Sequence, residues 1–339
     1  MFRTLVALAV FGFGFVASEK APLAADFYAG KTVILTASSD PGAAGYDMYV
    51  RLLGRHIADH IPGKPTIVVQ NEAGGGGLRI AQVIYAIAEK DGTRVGNLRA
   101  SNMLDSILGI RGTEIDPNKF AWIGNMASDT DMCSFWHTSE VRTFQDLLDR
   151  EVIIGASGKG AQNYQFPSAM NKVLGTKMKI VVGYKGAADR VVAMERGELQ
   201  GNCGINASTV NSSWPDQVAK GILLPVVQSG LKPYSAFPNV PLTQSFAKTD
   251  DDRRILVAIF SQMEIARTLA APPGTPADRV TILRSAFMAA LKDPALIEDA
   301  QKLRLDLDPS DGESVAKVIA EMASLSPDLK KKVREAIGE

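Results

Sequence analysis

The chain has 339 residues, enough to bury more than one core, and a formal net charge of zero. Hydrophobic residues make up 46% and charged residues 22%, ordinary for a soluble globular protein. No Lys/Arg cluster is interleaved with aromatics, so composition argues against a nucleic-acid partner.

Arg3 is followed by an apolar run at 5–16 carrying three Phe, and then by the small residues Ala21, Ala24 and Ala25. That order predicts a secretory signal peptide over 1–25, cut near Ala25, with Ser18 the alternative edge. The run is short against the ~20 residues of a membrane span, and no later stretch is long enough to cross a bilayer. The mature chain is therefore expected to be exported and soluble, in an oxidising compartment. There Cys133 and Cys203 either form one disulfide or sit apart as buried thiols.

The apolar residues 33–35 break into a small, Gly-rich turn at 38–45. A helical pattern follows, with Val50, Leu53, Ile57 and Ile61 on one face. A second apolar run at 67–69 ends in a second Gly-rich turn at 73–77. Strand, turn, helix, strand, turn implies a parallel sheet. Both turns open helices, whose N-termini carry free N–H groups and partial positive charge. Side by side they form a candidate clamp for an anion such as a carboxylate. The residues placed in it are Ser38, Gly42, Ala43 and Ala44 from the first turn, and Gly75 and Gly76 from the second. Glycine suits such turns because it lets main-chain N–H groups come close to a ligand. Asp47 is expected to brace the first helix rather than touch ligand.

The alternation continues with a helix at 78–88, a strand at 93–98 and a short helix at 102–109. Arg99 and Asn102 follow the third strand, where an Arg is placed to form a bidentate pair with a second carboxylate. Apolar runs at 120–126 and 132–136 flank the polar 127–131, which reads as a chain leaving one sheet for another. A second series follows: strand 152–156, turn 157–160, helix 163–174, strand 179–183, helix 187–196, and strands 199–204 and 222–228. Pro167 is tolerable only near the start of its helix. The turns of this series offer Ser157, Gly160, Gln162, Asn163, Tyr184, Gly186 and Asn206, with Lys185 either solvated or a charge partner. An apolar run at 255–260 leads to 268–271, and helices at 277–291, 294–303 and 310–325 and a charged last one are expected to pack back on the first sheet.

Two doubly wound α/β domains are therefore expected, with a hinge and a central cleft. Domain I takes 26–130 plus 261–339 and domain II takes 131–260, the chain crossing between them near Ala127 and Phe260. Enzyme signatures fail one by one. His56 and His60 stand four apart on a helix but have no further ligand beside them, and the third histidine, His137, is distant in sequence. Gly155-Ala156-Ser157-Gly158-Lys159 departs from a nucleophile elbow at its last position. Gly158-Lys159-Gly160 lacks the Ser/Thr of a phosphate loop, and Arg79 stands where a dinucleotide fingerprint needs its third Gly. What remains is a set of Gly- and Ser-rich turns suited to binding, with no catalytic residue and no cofactor expected.

Several of these segments together resemble a known family. They are Phe27-Tyr28-Ala29-Gly30-Lys31-Thr32-Val33, Pro41-Gly42-Ala43-Ala44-Gly45-Tyr46-Asp47, Val69-Gln70-Asn71-Glu72-Ala73-Gly74-Gly75-Gly76-Gly77, Lys90-Asp91-Gly92-Thr93, Gly183-Tyr184-Lys185-Gly186 and Ala271-Pro272-Pro273-Gly274-Thr275-Pro276. In this order they resemble the Bug family, the periplasmic solute-binding receptors of tripartite tricarboxylate transporters. The resemblance implies a type II-like periplasmic-binding-protein fold. It also implies that the two Gly-rich turns hold a ligand carboxylate through main-chain groups and water, and that membrane permease subunits receive the ligand. Family members usually have Pro before Tyr-Lys-Gly and often His near position 163; here these are Gly183 and Asn163. The expected function is capture of a small carboxylate by a periplasmic monomer that meets the membrane only through its transporter. A ligand-binding lobe of a membrane sensor kinase, or a periplasmic enzyme, are the alternatives.

Overall fold

The computed structural model describes residues 27–42, 45–110, 112 and 114–339. The signal-peptide reading over 1–25 and the candidates Ala43 and Ala44 lie outside the described residues.

Eleven strands are assigned among them. In chain order they are β1 (Thr32–Ala37), β2 (Thr66–Asn71), β3 (Arg94–Leu98), β4 (Ala121–Asn125), β5 (Asp131–Trp136), β6 (Val152–Ala156), β7 (Met178–Val182), β8 (Gly201–Asn206), β9 (Leu223–Ser229), β10 (Thr268–Ala271) and the two-residue β11 (Ser310–Asp311). They form two sheets, ordered β11-β4-β10-β3-β1-β2 and β7-β6-β8-β5-β9. β1 runs parallel to both β2 and β3, while β10 is antiparallel to β3 and β4. In the second sheet β6 is parallel to β7 and β8, and β5 runs antiparallel to β8 and β9. The chain passes from the first sheet to the second through 126–130 and returns through 230–267.

The apolar runs of the sequence become strands because helices cover them. Helix α1 (Tyr46–His56) buries Tyr49, Val50, Leu52 and Leu53. Gly54 lets it descend on β2, since a Cβ there would lie 2.8 Å from Val69 Cγ2. Next come α2 (Leu78–Gln82), which runs on into one π turn at Val83–Ile87, then α3 (Ala100–Ile107), α4 (Phe144–Asp149) and α5 (Gln162–Ala169). Pro167 lies inside α5, deeper than its missing N–H favours, and the backbone answers with a π turn at Met170–Leu174. Helices α6 (Ala187–Glu195), α7 (Ala207–Ser213), α8 (Pro215–Ala219) and α9 (Asp250–Phe260) complete the middle of the chain.

The C-terminal helices do not all pack on the first sheet. Helices α10 (Ala277–Ala290) and α12 (Gly312–Ala323) lie on β4, and α11 (Pro294–Lys302) lies on α1. The last helix, α13 (Pro327–Ile337), instead packs on α5 and α9. Its apolar stripe of Leu329, Val333, Ala336 and Ile337 is buried in a hydrophobic cluster that also holds Phe166 and Phe260, whose rings meet edge-on at 4.9 Å. The C-terminus thus spans both halves, because that stripe matches a groove supplied by the second one.

Cys133 on β5 and Cys203 on β8 form a disulfide between neighbouring strands. The bond closes a separation of 70 residues. Replacing both cysteines by Ala is expected to lower the unfolding free energy by about 2–4 kcal/mol, chiefly by releasing the unfolded chain. Urea denaturation checks this; an unchanged midpoint would deny the bond any stabilising role.

Candidate functional site

The topology brings the Gly- and Ser-rich turns to one edge of each sheet. The C-terminal ends of β1, β2, β3 and β4 and the start of β10 share the first edge; the ends of β6, β7, β8 and β9 and the start of β5 share the second. The two edges face each other. A Cβ on Gly76 would lie 3.8 Å from the Gly160 carbonyl and 3.9 Å from Ala161 Cβ. One on Gly45 would lie 3.1 Å from Thr209 Oγ1. Gln162 donates to Gln262 Oε1 at 3.2 Å, and Gln165 donates to Asp105 Oδ1 at 2.8 Å. Burial raises the Asp105 carboxyl to about 7.

The first turn is pinned from beneath. Gly42 N–H donates to Asp47 Oδ2 at 2.7 Å, and Arg51 and Asn71 donate to the same carboxylate. Asn71 also donates to the Ser39 carbonyl, and Arg99 to the Ser38 carbonyl at 2.9 Å. Burial pushes the Asp47 carboxyl up, but bonds from Arg51, Asn71 and Gly42 outweigh it and hold the carboxyl below its ordinary value. The stability Asp47 contributes is therefore present above the usual carboxylate range and lost as pH falls through the lowered value. Asp47→Ala is expected to free the turn and weaken ligand binding about tenfold, or about 1.4 kcal/mol, measured by calorimetry. Unchanged affinity would detach this turn from the site.

The second turn has positive φ at each of Gly74, Gly75, Gly76 and Gly77, a conformation closed to most side chains. Gly77 also makes room for Arg99, because a Cβ there would meet Arg99 Cδ at 2.7 Å. Arg99 lies with its guanidinium 4.6 Å from the centre of the Tyr46 ring. Among the described residues it has no carboxylate within ion-pair distance, and its Nε is sealed from solvent without a hydrogen-bond partner. Burial holds its guanidinium below the ordinary value.

Arg190 on α6 answers from the other side. It is 3% exposed, donates from Nε to Asn202 Oδ1 at 2.9 Å, and likewise has no ion pair among the described residues. Burial lowers it to about 10; the charges of Asp131 and Asp189 offset part of that, and the weaker repulsion from Arg99 puts the two guanidiniums within reach of each other's field. Gly155 seats both Arg190 and Tyr184, each 3.1 Å from where its Cβ would stand. A third guanidinium, Arg267, lies at the cleft floor ion-paired to Asp129 at 2.6 Å, with both side chains fully buried. Arg267 also donates to Ser208 Oγ and lies over the rings of Tyr46 and Tyr49. Asp131, at the start of β5, accepts from Asn206 Nδ2 at 2.8 Å.

Gly42 N–H and Ser157 N–H are already engaged, by Asp47 and by Asn163 Oδ1, and so offer nothing to a ligand. Asn163 and Asn206 support neighbouring groups, and Ser38 Oγ donates to Asn97 Oδ1. Tyr184 is half-buried against a cluster containing Val191, Met194 and Leu199, so much of its ring serves packing. Asn102 keeps a buried Oδ1 without a partner. Gly186 precedes α6, with open space where a Cβ would be. His56 and His60 bond separate carboxylates, Asp299 and Asp293, each at 3.1 Å, and so join α1 and its following turn to α11. Arg190, Arg267, Asp129 and Asp131 were not legible as site residues in the sequence.

No protein-family model and no curated protein matches this sequence. Solved structures do. The periplasmic binding protein BugD superposes with a TM-score of 0.71 at 18% identity, covering 91% of this chain and 98% of its own. A TctC solute-binding protein from Polaromonas gives 0.62 at 19% identity, over 91% and 99%. MatC from Rhodopseudomonas palustris, with bound malate, gives 0.67 at 15% identity, over 91% and 99%. This chain has the two-sheet α/β fold of periplasmic solute-binding proteins of the Bug and TctC type.

Proposed function

We propose that this chain is a periplasmic solute-binding receptor of the Bug type. It captures a small carboxylate between two lobes, 26–130 with 261–339 and 131–260, and hands it to a tripartite tricarboxylate-type membrane transporter. One observation carries the carboxylate reading: Arg99 and Arg190 come within reach of each other's field from opposite lobes, and among the described residues neither has a carboxylate within ion-pair distance. Burying a guanidinium without a bonded carboxylate is costly, and a ligand anion supplies a direct ion pair. The Gly-rich turn at 74–77 lies against Arg99. The malate in MatC and the adipate in a Rhodopseudomonas palustris relative of 18% identity are ligands of this chemistry. The apolar N-terminal run supports export.

Thermal-shift screening of a carboxylate library against neutral sugars tests this. At roughly 100 times Kd a true ligand adds about 2.7 kcal/mol to folding stability. A shift with sugars and none with carboxylates would overturn the proposal.

A further inference from the structure

Asp131 is a buried carboxyl that the carboxylate reading leaves unused. It is 2% exposed and stands at the start of β5, in register with Asn206 and Ser229 at the cleft-side ends of β8 and β9. Its Oδ1 accepts from Asn206; its Oδ2 is buried and has no hydrogen-bond partner among the described residues. Arg267 and Arg190 each offset part of its charge, but neither is within ion-pair distance of it among the described residues. Arg267 is bound to Asp129 and Ser208, and Arg190 donates from Nε to Asn202. Asp129 adds negative charge beside it, and burial together with that charge raises the Asp131 carboxyl to about 8. A buried acceptor with an open lone pair, repelled by one acid and bonded by no cation, calls for a positively charged donor from the ligand.

Resting on the carboxylate reading above, we infer that Asp131 binds a ligand ammonium, so that the preferred ligand is an amino acid rather than a plain carboxylic acid. Arg99 and Arg190 then take carboxylate oxygens, and Asp131 reads the amine through Oδ2 while Asn206 holds Oδ1. The groups facing Asp131 are Asp129, Asn206, Arg190 and Arg267. An ammonium at this position shifts Asp131 to its charged form, so binding near neutral pH releases a proton.

Matched pairs differing only in the amine test this by calorimetry: succinate against aspartate, glutarate against glutamate, propionate against alanine. At least one amino acid is expected to bind about tenfold or more tightly than its amine-free partner, the value of a charge-assisted hydrogen bond. Asp131→Asn, which keeps the Asn206 contact, is expected to erase that preference, the amino acid losing about tenfold or more relative to its amine-free partner. Titrations in buffers of different ionisation enthalpy should show proton release with the wild type that is absent in the variant. Equal affinities within every pair in the wild type would overturn the inference while leaving the carboxylate reading standing, and need no variant to fold. An equal loss for both members of a pair in Asp131→Asn would also overturn it. No binding by any member would overturn the carboxylate reading and this inference together.

Discussion

Truncating Asp129 to Ala is expected to lower the unfolding free energy by about 3–5 kcal/mol, the largest stability effect of any single change considered for this chain. Asp129 and Arg267 are both fully buried and meet at 2.6 Å across 138 residues of sequence. Asp129 also takes the N–H groups of Thr130 and Ser208 and the Ser208 hydroxyl. Removing it leaves a guanidinium in the interior with no carboxylate bonded to it. That penalty, more than the lost attraction, sets the size of the effect. The double variant Asp129→Leu with Arg267→Met should therefore recover much of the loss, because an apolar pair of similar volume strands no charge. Urea unfolding of the single and double variants gives the coupling directly. A single-variant loss under about 1 kcal/mol, the scale of an exposed pair, would contradict the burial of this bridge.

Arg99→Met should have the largest effect on binding, a loss of about 100-fold, or about 2.7 kcal/mol. The guanidinium is held by the Ser38 carbonyl and the Tyr46 ring and lies in the space that Gly77 leaves free. Among the described residues it has no carboxylate within ion-pair distance. Its removal should leave the melting temperature of the ligand-free protein unchanged or raise it, since an unpaired charge is taken out of a confined site. Arg99→Lys should fall between, because an ammonium keeps the charge but neither stacks on the ring nor offers two parallel donors. Calorimetry with whichever carboxylate stabilises the wild type measures both variants. Full affinity in Arg99→Met would move the anion site elsewhere.

The sequence made the scaffold readable through its apolar runs and Gly-rich turns. Val33, Leu35 and Val95 are buried where the strand pattern places them, and the Gly74–Gly77 turn needs glycine for its backbone. The charges that give the site its character were hidden. Arg190 lies in a helix beside Asp189 and Glu195 and reads as solvated; only the packing of α6 on β8 buries it. Arg267 and Asp129 look unrelated until β10 pairs with β4 and brings them together. The turns suggested free N–H groups, yet Asp47 and Asn163 claim some of them, because a turn rigid enough to bind must itself be bonded. Helix α13 was misplaced for the same reason: its stripe says that it packs, and only the tertiary fold says against what.

In the proposed receptor a clamp closes on an anion between two sheets. The loops at 74–77 and 158–161 already face each other, and Gln162 and Gln165 of the second half bond Gln262 and Asp105 of the first. Small-angle scattering on protein stripped of ligand, then saturated with the stabilising carboxylate, tests this most directly. A smaller radius of gyration on saturation, absent in Arg99→Met, is the predicted result. Superimposable curves with and without saturating ligand would contradict it.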